Sequence, residues 1–268
     1  MTAEVTRAAE PSAAPSQPDT ILSLKNVTKV FNGNLMALQG MSLDIRRGDF
    51  VSLLGPSGCG KSTALRLIAG LSHATAGRIS WQGGQNAGDL GVVFQEPTLM
   101  PWATVAQNVW LPLRLRGKSY NSVKDDILEA LSLVGLENFL NSYPRELSGG
   151  MKMRVSIARS LVTHPRLLLM DEPFAALDEI TRHKLNDDLL QLRAKTGATI
   201  IFVTHSVFES VFLSNRVVVM AARPGRVIRE LTVDAPYPRT DEYRTSADYA
   251  RHCSEATEAL HAAMGEHA

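Results

Sequence analysis

The sequence predicts an α/β fold organised around a phosphate-binding loop, and three adjoining features carry that prediction. Phe50-Val51-Ser52-Leu53-Leu54 is an apolar run of strand length. Gly55-Pro56-Ser57-Gly58-Cys59-Gly60-Lys61-Ser62-Thr63 follows, with the form G-x-x-x-x-G-K-S/T. Residues 63–69 then read as a helix that Gly70 stops. Glycines let successive N–H groups turn into one concavity, which suits phosphate oxygens, and the helix N-terminus adds partial positive charge there. Lys61 has the reach for β- and γ-phosphates, and the Ser62 hydroxyl suits Mg²⁺. A glycine turn that binds nothing is the bland alternative; the strand before and the helix after weigh against it.

The other elements follow in chain order. Residues 1–19 are rich in Ala, Pro, Ser and Glu, which predicts a disordered tail. Leu22 and Leu24 alternate with Ser23 and Lys25, and Met41, Leu43 and Ile45 with Ser42, Asp44 and Arg46, as in two half-buried strands. Phe31 lies between them, before the turn-like Asn32-Gly33-Asn34, and reads equally as core or as a ring on which a nucleotide base stacks. Gly48-Asp49 turns the chain into Phe50–Leu54. Residues 78–81 and 91–94 are short strands, the second ended by Gln95.

No strand pattern occurs from Glu96 to Pro165. Val123, Ile127, Leu131 and Val134 recur at helical spacing, with Gly135 as a stop, so this stretch is a helical insertion punctuated by Pro97, Pro101 and Pro112. Within it Ser148 is placed to cap a helix running on from Gly149-Gly150-Met151. A serine and two glycines at a helix start can form a second phosphate site, or equally a plain capped helix after a glycine turn.

Residues 167–170 suit a buried parallel strand. Asp171 and Glu172 stand at its C-terminal end, where α/β sheets place ligands. Asp171 suits Mg²⁺ held through water, and Glu172 suits orienting and deprotonating an attacking water; a solvated acidic turn is the dull alternative. Residues 198–204 form another buried strand, and His205 follows it as a candidate γ-phosphate partner or a structural histidine. Residues 217–222 and 227–233 complete the strands. Beyond Pro236 and Pro238, Tyr249, Cys253, Ala256 and Leu260 mark the apolar stripe of a last helix.

Composition narrows the classes. The chain has 268 residues, 44% of them hydrophobic, enough for a sizeable core in one or two domains. Lys and Arg number 28 against 27 acidic residues, a formal charge of +1, which argues against nucleic acid as a partner. The two cysteines, Cys59 and Cys253, imply no disulfide framework and fit a reducing, intracellular setting. No apolar stretch reaches bilayer length, and residues 1–20 lack the apolar centre of a signal peptide.

Taken together, these motifs resemble the ATP-binding cassette (ABC) family of transport ATPases, over residues 21–233. The resemblance implies a P-loop NTPase (RecA-like) α/β core with an antiparallel β subdomain and an inserted helical subdomain. It divides the chain into a tail at 1–19, an ATPase domain at 20–235 with the helical subdomain at about 96–160, and a C-terminal helical extension at 236–268. It aligns Gly55 to Thr63 with the family's phosphate loop and Gln95 with its glutamine loop, which meets Mg²⁺ and the γ-phosphate. Ser148-Gly149-Gly150 aligns with the signature and Asp171 with the Mg²⁺ carboxylate. Glu172 aligns with the catalytic glutamate, Ala176-Leu177-Asp178 with the D-loop, His205 with the switch histidine, and Phe31 with the adenine-stacking ring. The closer likeness is to the nitrate, sulfonate and taurine importer branch, carried by Gly91-Val92-Val93-Phe94-Gln95-Glu96-Pro97-Thr98-Leu99-Met100-Pro101-Trp102 and by Met151. Met153, Ser206 and Ser210 depart from the family pattern without removing a group that meets nucleotide.

The resemblance implies an ATPase using ATP and Mg²⁺ that works as a homodimer. Each nucleotide would sit between the phosphate loop of one copy and Ser148-Gly149-Gly150 of the other. It further implies two transmembrane permease subunits, a periplasmic or lipid-anchored solute-binding protein, and a place on the cytoplasmic face of a bacterial inner membrane. Leu99-Met100-Pro101-Trp102 is the candidate groove for a permease helix, with local core as its plain alternative. Cargo stays open among nitrate, taurine, alkanesulfonates and thiamine-precursor pyrimidines. The rival readings are a soluble family member of DNA repair or translation, which would carry long coiled coils or two cassettes, and a regulatory module without turnover, against which Glu172 and His205 argue.

Overall fold

All five residues of β3 (Phe50–Leu54) are buried, and so are all five of β7 (Ile200–Thr204). Strands covered on both faces belong to a parallel sheet whose crossovers lay helices over it. The computed structural model describes residues 19–32, 34–84 and 89–265. The tail expected at 1–19 therefore lies, but for Asp19, outside the described residues.

Two sheets form. One is antiparallel, with β1 (Thr20–Phe31) between β2 (Leu35–Arg46) and β4 (Ala76–Trp81). The other has six strands in the order β5 (Leu90–Val93), β6 (Leu167–Asp171), β7, β3, β8 (Arg216–Ala221), β9 (Arg226–Thr232). Neighbours from β5 through β8 are parallel, and β9 runs antiparallel to β8. Since β3, β6 and β7 are adjacent and parallel, everything that follows them in sequence gathers along one sheet edge.

Phe31 does not stand in the connection between the first two strands, as the sequence suggested, but is the last residue of β1, paired with Leu35 of β2. Both strands are 12 residues long and irregular in register, and those bulges break the simple alternation that marks a strand in sequence.

The stretch between β5 and β6 contains helices alone: α2 (Val105–Leu115), α3 (Lys124–Leu133) and α4 (Gly149–Leu161), with short 3-10 turns. Thr104 caps α2 through a reciprocal box with Gln107. Pro112 does not punctuate this segment but lies inside α2. Gly135 follows α3 as expected.

One core cluster joins these helices to α5 (Glu179–Thr196) and to one face of the six-stranded sheet, centred on Phe202. The Phe202 ring lies 6.0 Å from that of Phe50 and 5.7 Å from that of Phe174. A second cluster fills the space between the two sheets and α1 (Lys61–Ile68). A third sets α8 (Ala247–Gly265) against β8 and β9 through Cys253, Ala256, Ala259 and Ala263, small residues that let the helix approach closely. Two further helices are short, α6 (Val207–Leu213) and α7 (Asp241–Arg244). No described helix is long and apolar enough to cross a membrane.

Candidate functional site

The loop between β3 and α1 curls because Gly60 sits at φ +88°, where a Cβ would also stand 2.7 Å from the Ala37 carbonyl oxygen. That curl ends directly at Lys61, the first residue of α1. The Lys61 side chain is only 4% exposed. Its ammonium donates to the Gly55 carbonyl at 2.7 Å and the Pro56 carbonyl at 3.1 Å, and lies 3.9 Å from Glu172 Oε1. Cys59 is buried beside it, and burial pushes its thiol up. The lysine is thus folded back on its own loop, its charge neutralised by carbonyl dipoles and one carboxylate.

Across the sheet edge, the Ser62 hydroxyl donates to Asp171 Oδ1 at 3.0 Å. Burial raises the Asp171 carboxyl above its usual range, and the Glu172 charge raises it further, against the Ser62 hydrogen bond, Arg66 and Lys61. Glu172, just past β6, has φ +46°, a left-handed turn that few non-glycine residues adopt. Its backbone N–H donates to the Val203 carbonyl, and its Oε2 lies 3.1 Å from Nδ1 of His205, just past β7.

Lys61, Ser62, Asp171 and Glu172 bound a cleft of about 910 Å³, a size that takes a nucleotide, while Gly55, Pro56, Cys59 and His205 stand behind its lining. Ser57, Gly58, Gly60, Lys61, Ser62 and Thr63 form one wall, and Gln95, Asp171 and Glu172 another. Phe31, 40% exposed, lines it from the antiparallel sheet. The cleft also takes in Leu35, Met36, Ala37, Arg223 and Pro224, which the sequence did not single out. Their signal was topological: Leu35 pairs with Phe31 and Met36 with Val30 across the β1–β2 hairpin, Ala37 follows them in β2, and Arg223 and Pro224 follow β8.

Ser148, Gly149, Gly150 and Asp178 do not line this cleft. Ser148 caps α4, its hydroxyl accepting from the Met151 N–H at 3.2 Å. A Cβ on Gly150 would meet Thr181 Cγ2 at 2.8 Å, so within one chain this glycine answers to close packing of α4 against the start of α5. Asp178 caps α5, accepting from the Thr181 N–H at 2.9 Å. Leu99 packs against the core, while Trp102 is 77% exposed.

The donor set around Ser62 and Asp171 fits Mg²⁺ completed by phosphate oxygens and water: one hydroxyl and one carboxylate within bonding reach of each other, with no cluster of three or more acidic, histidine or cysteine ligands among the described residues.

Residues 38–175 match the family model described as ABC transporter. The chain is 47% identical over 221 residues to a nitrate import ATP-binding protein, NrtD, of Synechocystis sp., covering 80% of this chain and 83% of that one. It is 45% identical over 224 residues to an aliphatic sulfonates import ATP-binding protein, SsuB 1, of Pseudomonas syringae pv. syringae, covering 83% and 90%. Among solved structures, cbiO1 from Clostridium perfringens, part of the ABC transporter complex cbiONQ, superposes with a TM-score of 0.75 at 27% identity, covering 88% of this chain and 99% of that one. The ATP-binding cassette MJ0796, in a dimeric post-hydrolysis state bound to ADP and Pi, superposes with a TM-score of 0.67 at 34% identity, covering 81% and 100%.

Proposed function

Because this chain belongs to the ABC transporter family, we propose that it is the ATP-hydrolysing subunit of an importer for a small anion such as nitrate, a sulfonate or taurine. One observation carries the ATPase reading: Lys61, Ser62, Asp171, Glu172 and His205, from the ends of three adjacent strands, meet at one sheet edge beside an aromatic ring.

The loop Gly55, Pro56, Ser57, Gly58, Cys59, Gly60, Lys61, Ser62, Thr63 cradles the phosphates with its N–H groups. Lys61 exchanges its bonds to the Gly55 and Pro56 carbonyls for the β- and γ-phosphates. Phe31 stacks on the base. Ser62, Asp171 and Gln95 hold Mg²⁺, which supplies charge neutralisation of the phosphates when bound. Glu172 accepts a proton from the attacking water, and His205 orients Glu172 and stabilises charge on the departing phosphate.

Ser148, Gly149, Gly150 and Asp178 lie outside the cleft, so we assign them to the nucleotide of a second copy, with ATP gripped between two subunits. Two permease subunits complete the complex on the cytoplasmic face of a bacterial inner membrane, fed by a periplasmic or lipid-anchored solute-binding protein; no nucleic acid is involved. The exposed Trp102, next to the Gln95 segment, is the surface we assign to a permease helix. The ATPase domain spans 20–235, with the helical subdomain at about 96–160 and the C-terminal extension at 236–268.

The reading is tested by phosphate release from ATP by the purified protein, with and without Mg²⁺. It predicts steady release that chelation abolishes. No release with Mg²⁺ at any protein concentration contradicts it. Transport assays on single nitrogen or sulfur sources in a deletion strain test the cargo: growth unaffected on nitrate, taurine and alkanesulfonates rejects the anion assignment.

A further inference from the structure

Arg182 and Glu209 touch neither the cleft nor each other's hydrogen-bonding atoms, yet each grips a turn that ends at a candidate site residue. Arg182 lies in the first turns of α5 and its guanidinium donates to the Leu177 carbonyl at 2.9 Å. Leu177 closes the turn from Phe174, its N–H donating to that carbonyl, and directly precedes Asp178, the α5 cap. The Leu177 side chain and Thr181 stand against Gly149 and Gly150, so the start of α4 rests on this same turn.

Glu209, on α6, is buried. Its Oε2 accepts from the Thr204 hydroxyl at 2.6 Å, and its backbone N–H donates to the Ser206 hydroxyl at 3.3 Å. The Thr204 hydroxyl in turn accepts from the Ser206 N–H at 3.0 Å. Thr204 and Ser206 flank His205, so Glu209 fixes the chain on both sides of that histidine. Between the turns, Arg182 Nε and Glu209 Oε1 lie 3.9 Å apart, and neither atom has a hydrogen-bond partner although both are buried. Burial raises the Glu209 carboxyl, against the Thr204 hydrogen bond and the charges of Arg182 and His205. The Arg182 side chain is 31% exposed and the two facing atoms make no hydrogen bond, so the pair at this distance supplies little stability. A small approach of the turns would give the pair its hydrogen bond.

We propose that Arg182 and Glu209 are positioning residues that couple the Leu177–Asp178 turn, and the Ser148–Gly150 segment resting on it, to the placement of His205 and through it Glu172. The inference rests on the ATPase reading and adds to it a route inside one chain. A shift of the Asp178 turn moves Leu177, Leu177 moves Arg182, and Arg182 tightens or loosens Glu209 and so the Thr204–Ser206 turn. The route bears on turnover, not on nucleotide affinity, because neither side chain lines the nucleotide cleft.

The test is a double-substitution cycle on the full chain, with Arg182→Ala, Glu209→Ala and both together. For each, ATP affinity is measured by calorimetry, kcat by phosphate release, and folding by thermal unfolding. Coupling predicts that each single change lowers kcat by about tenfold, with ATP affinity within about twofold of the parent, and that the double change is no worse than the worse single. Glu209→Gln keeps an acceptor for Thr204 but loses the charge. The inference predicts that it, too, lowers kcat, while Arg182→Lys restores part of the loss seen with alanine. Losses that multiply in the double variant, or that track the fall in unfolding temperature, overturn the inference and leave a merely structural pair. A variant that does not fold is replaced in the cycle by Glu209→Gln with Arg182→Lys, judged by the same rule. Failure of the parent chain to hydrolyse ATP overturns the ATPase reading and this inference together. A hydrolysing parent with independent variants overturns this inference alone.

Discussion

Glu172 Oε2 lies 3.1 Å from Nδ1 of His205, and the two residues follow adjacent parallel strands. Neither residue needs a long loop to find the other. The β6–β7 register sets Asp171 beside Val203, so Glu172, one residue on, and His205, two residues on, come together just beyond the strand ends. The left-handed turn at Glu172 then leaves its second oxygen 3.9 Å from Lys61.

Glu172→Gln preserves the shape of the side chain and removes its proton-accepting charge. It is expected to lower kcat for ATP hydrolysis by a factor of about 10²–10⁴, the range for loss of a general base, while ATP still binds. Phosphate release at the parent rate would remove Glu172 from the proposed role.

Lys61→Ala removes the charge that the phosphate loop holds against the Gly55 and Pro56 carbonyls. ATP affinity measured by calorimetry is expected to fall by at least tenfold, or about 1.4 kcal/mol, a modest figure for hydrogen bonds between charged groups. Unchanged affinity would show that the loop does not meet the phosphates.

Phe202→Ala empties the position between the Phe50 and Phe174 rings. Its cost is expected at about 3–5 kcal/mol in denaturant unfolding, since the side chain is fully buried and the flanking strands cannot collapse into the gap. A loss under about 1 kcal/mol would mean that the central sheet repacks freely.

Both thiols are buried and both have raised pKa values, Cys253 from 9.0 to about 11. The thiolate is the reacting form, so alkylation at pH 8 is expected to be slow in the native protein and rapid at two thiols once it is denatured. The folded value for Cys253 lies above the unfolded one, so its contribution to stability is intact below pH 9 and is lost as pH rises toward about 11. Fast native labelling at pH 8 would place a thiol outside the core.

Much of this was legible from residue types. The apolar runs of β3 and of β7 read directly as strands, and Gly60, Lys61, Ser148 and Gly135 each announced a turn or a helix end by its own chemistry. What escaped was long-range. The first half of β2 carries exposed Leu35 and Met36 in an irregular register, so no alternation marks it, and its place in the cleft depends on pairing with β1. Arg223 and Pro224 enter the cleft because β8 lies beside β3, a fact of strand order. Arg239 was equally silent. It is buried with its guanidinium donating to the Val211, Phe212, Ser214 and Val233 carbonyls, packed against Tyr237 and Tyr243, and only the fold shows that α6 ends there. Pro112 misled because proline marks breaks on average, yet α2 accommodates it.

The central claim is that ATP joins the phosphate-loop cleft of one copy to the Ser148–Gly150 segment of another. Sedimentation of Glu172→Gln with MgATP, alone and combined with Ser148→Arg, tests it most directly. The account predicts a nucleotide-dependent dimer for the single variant and an ATP-bound monomer for the double one. Two monomers that both hold ATP, or two dimers, would contradict it.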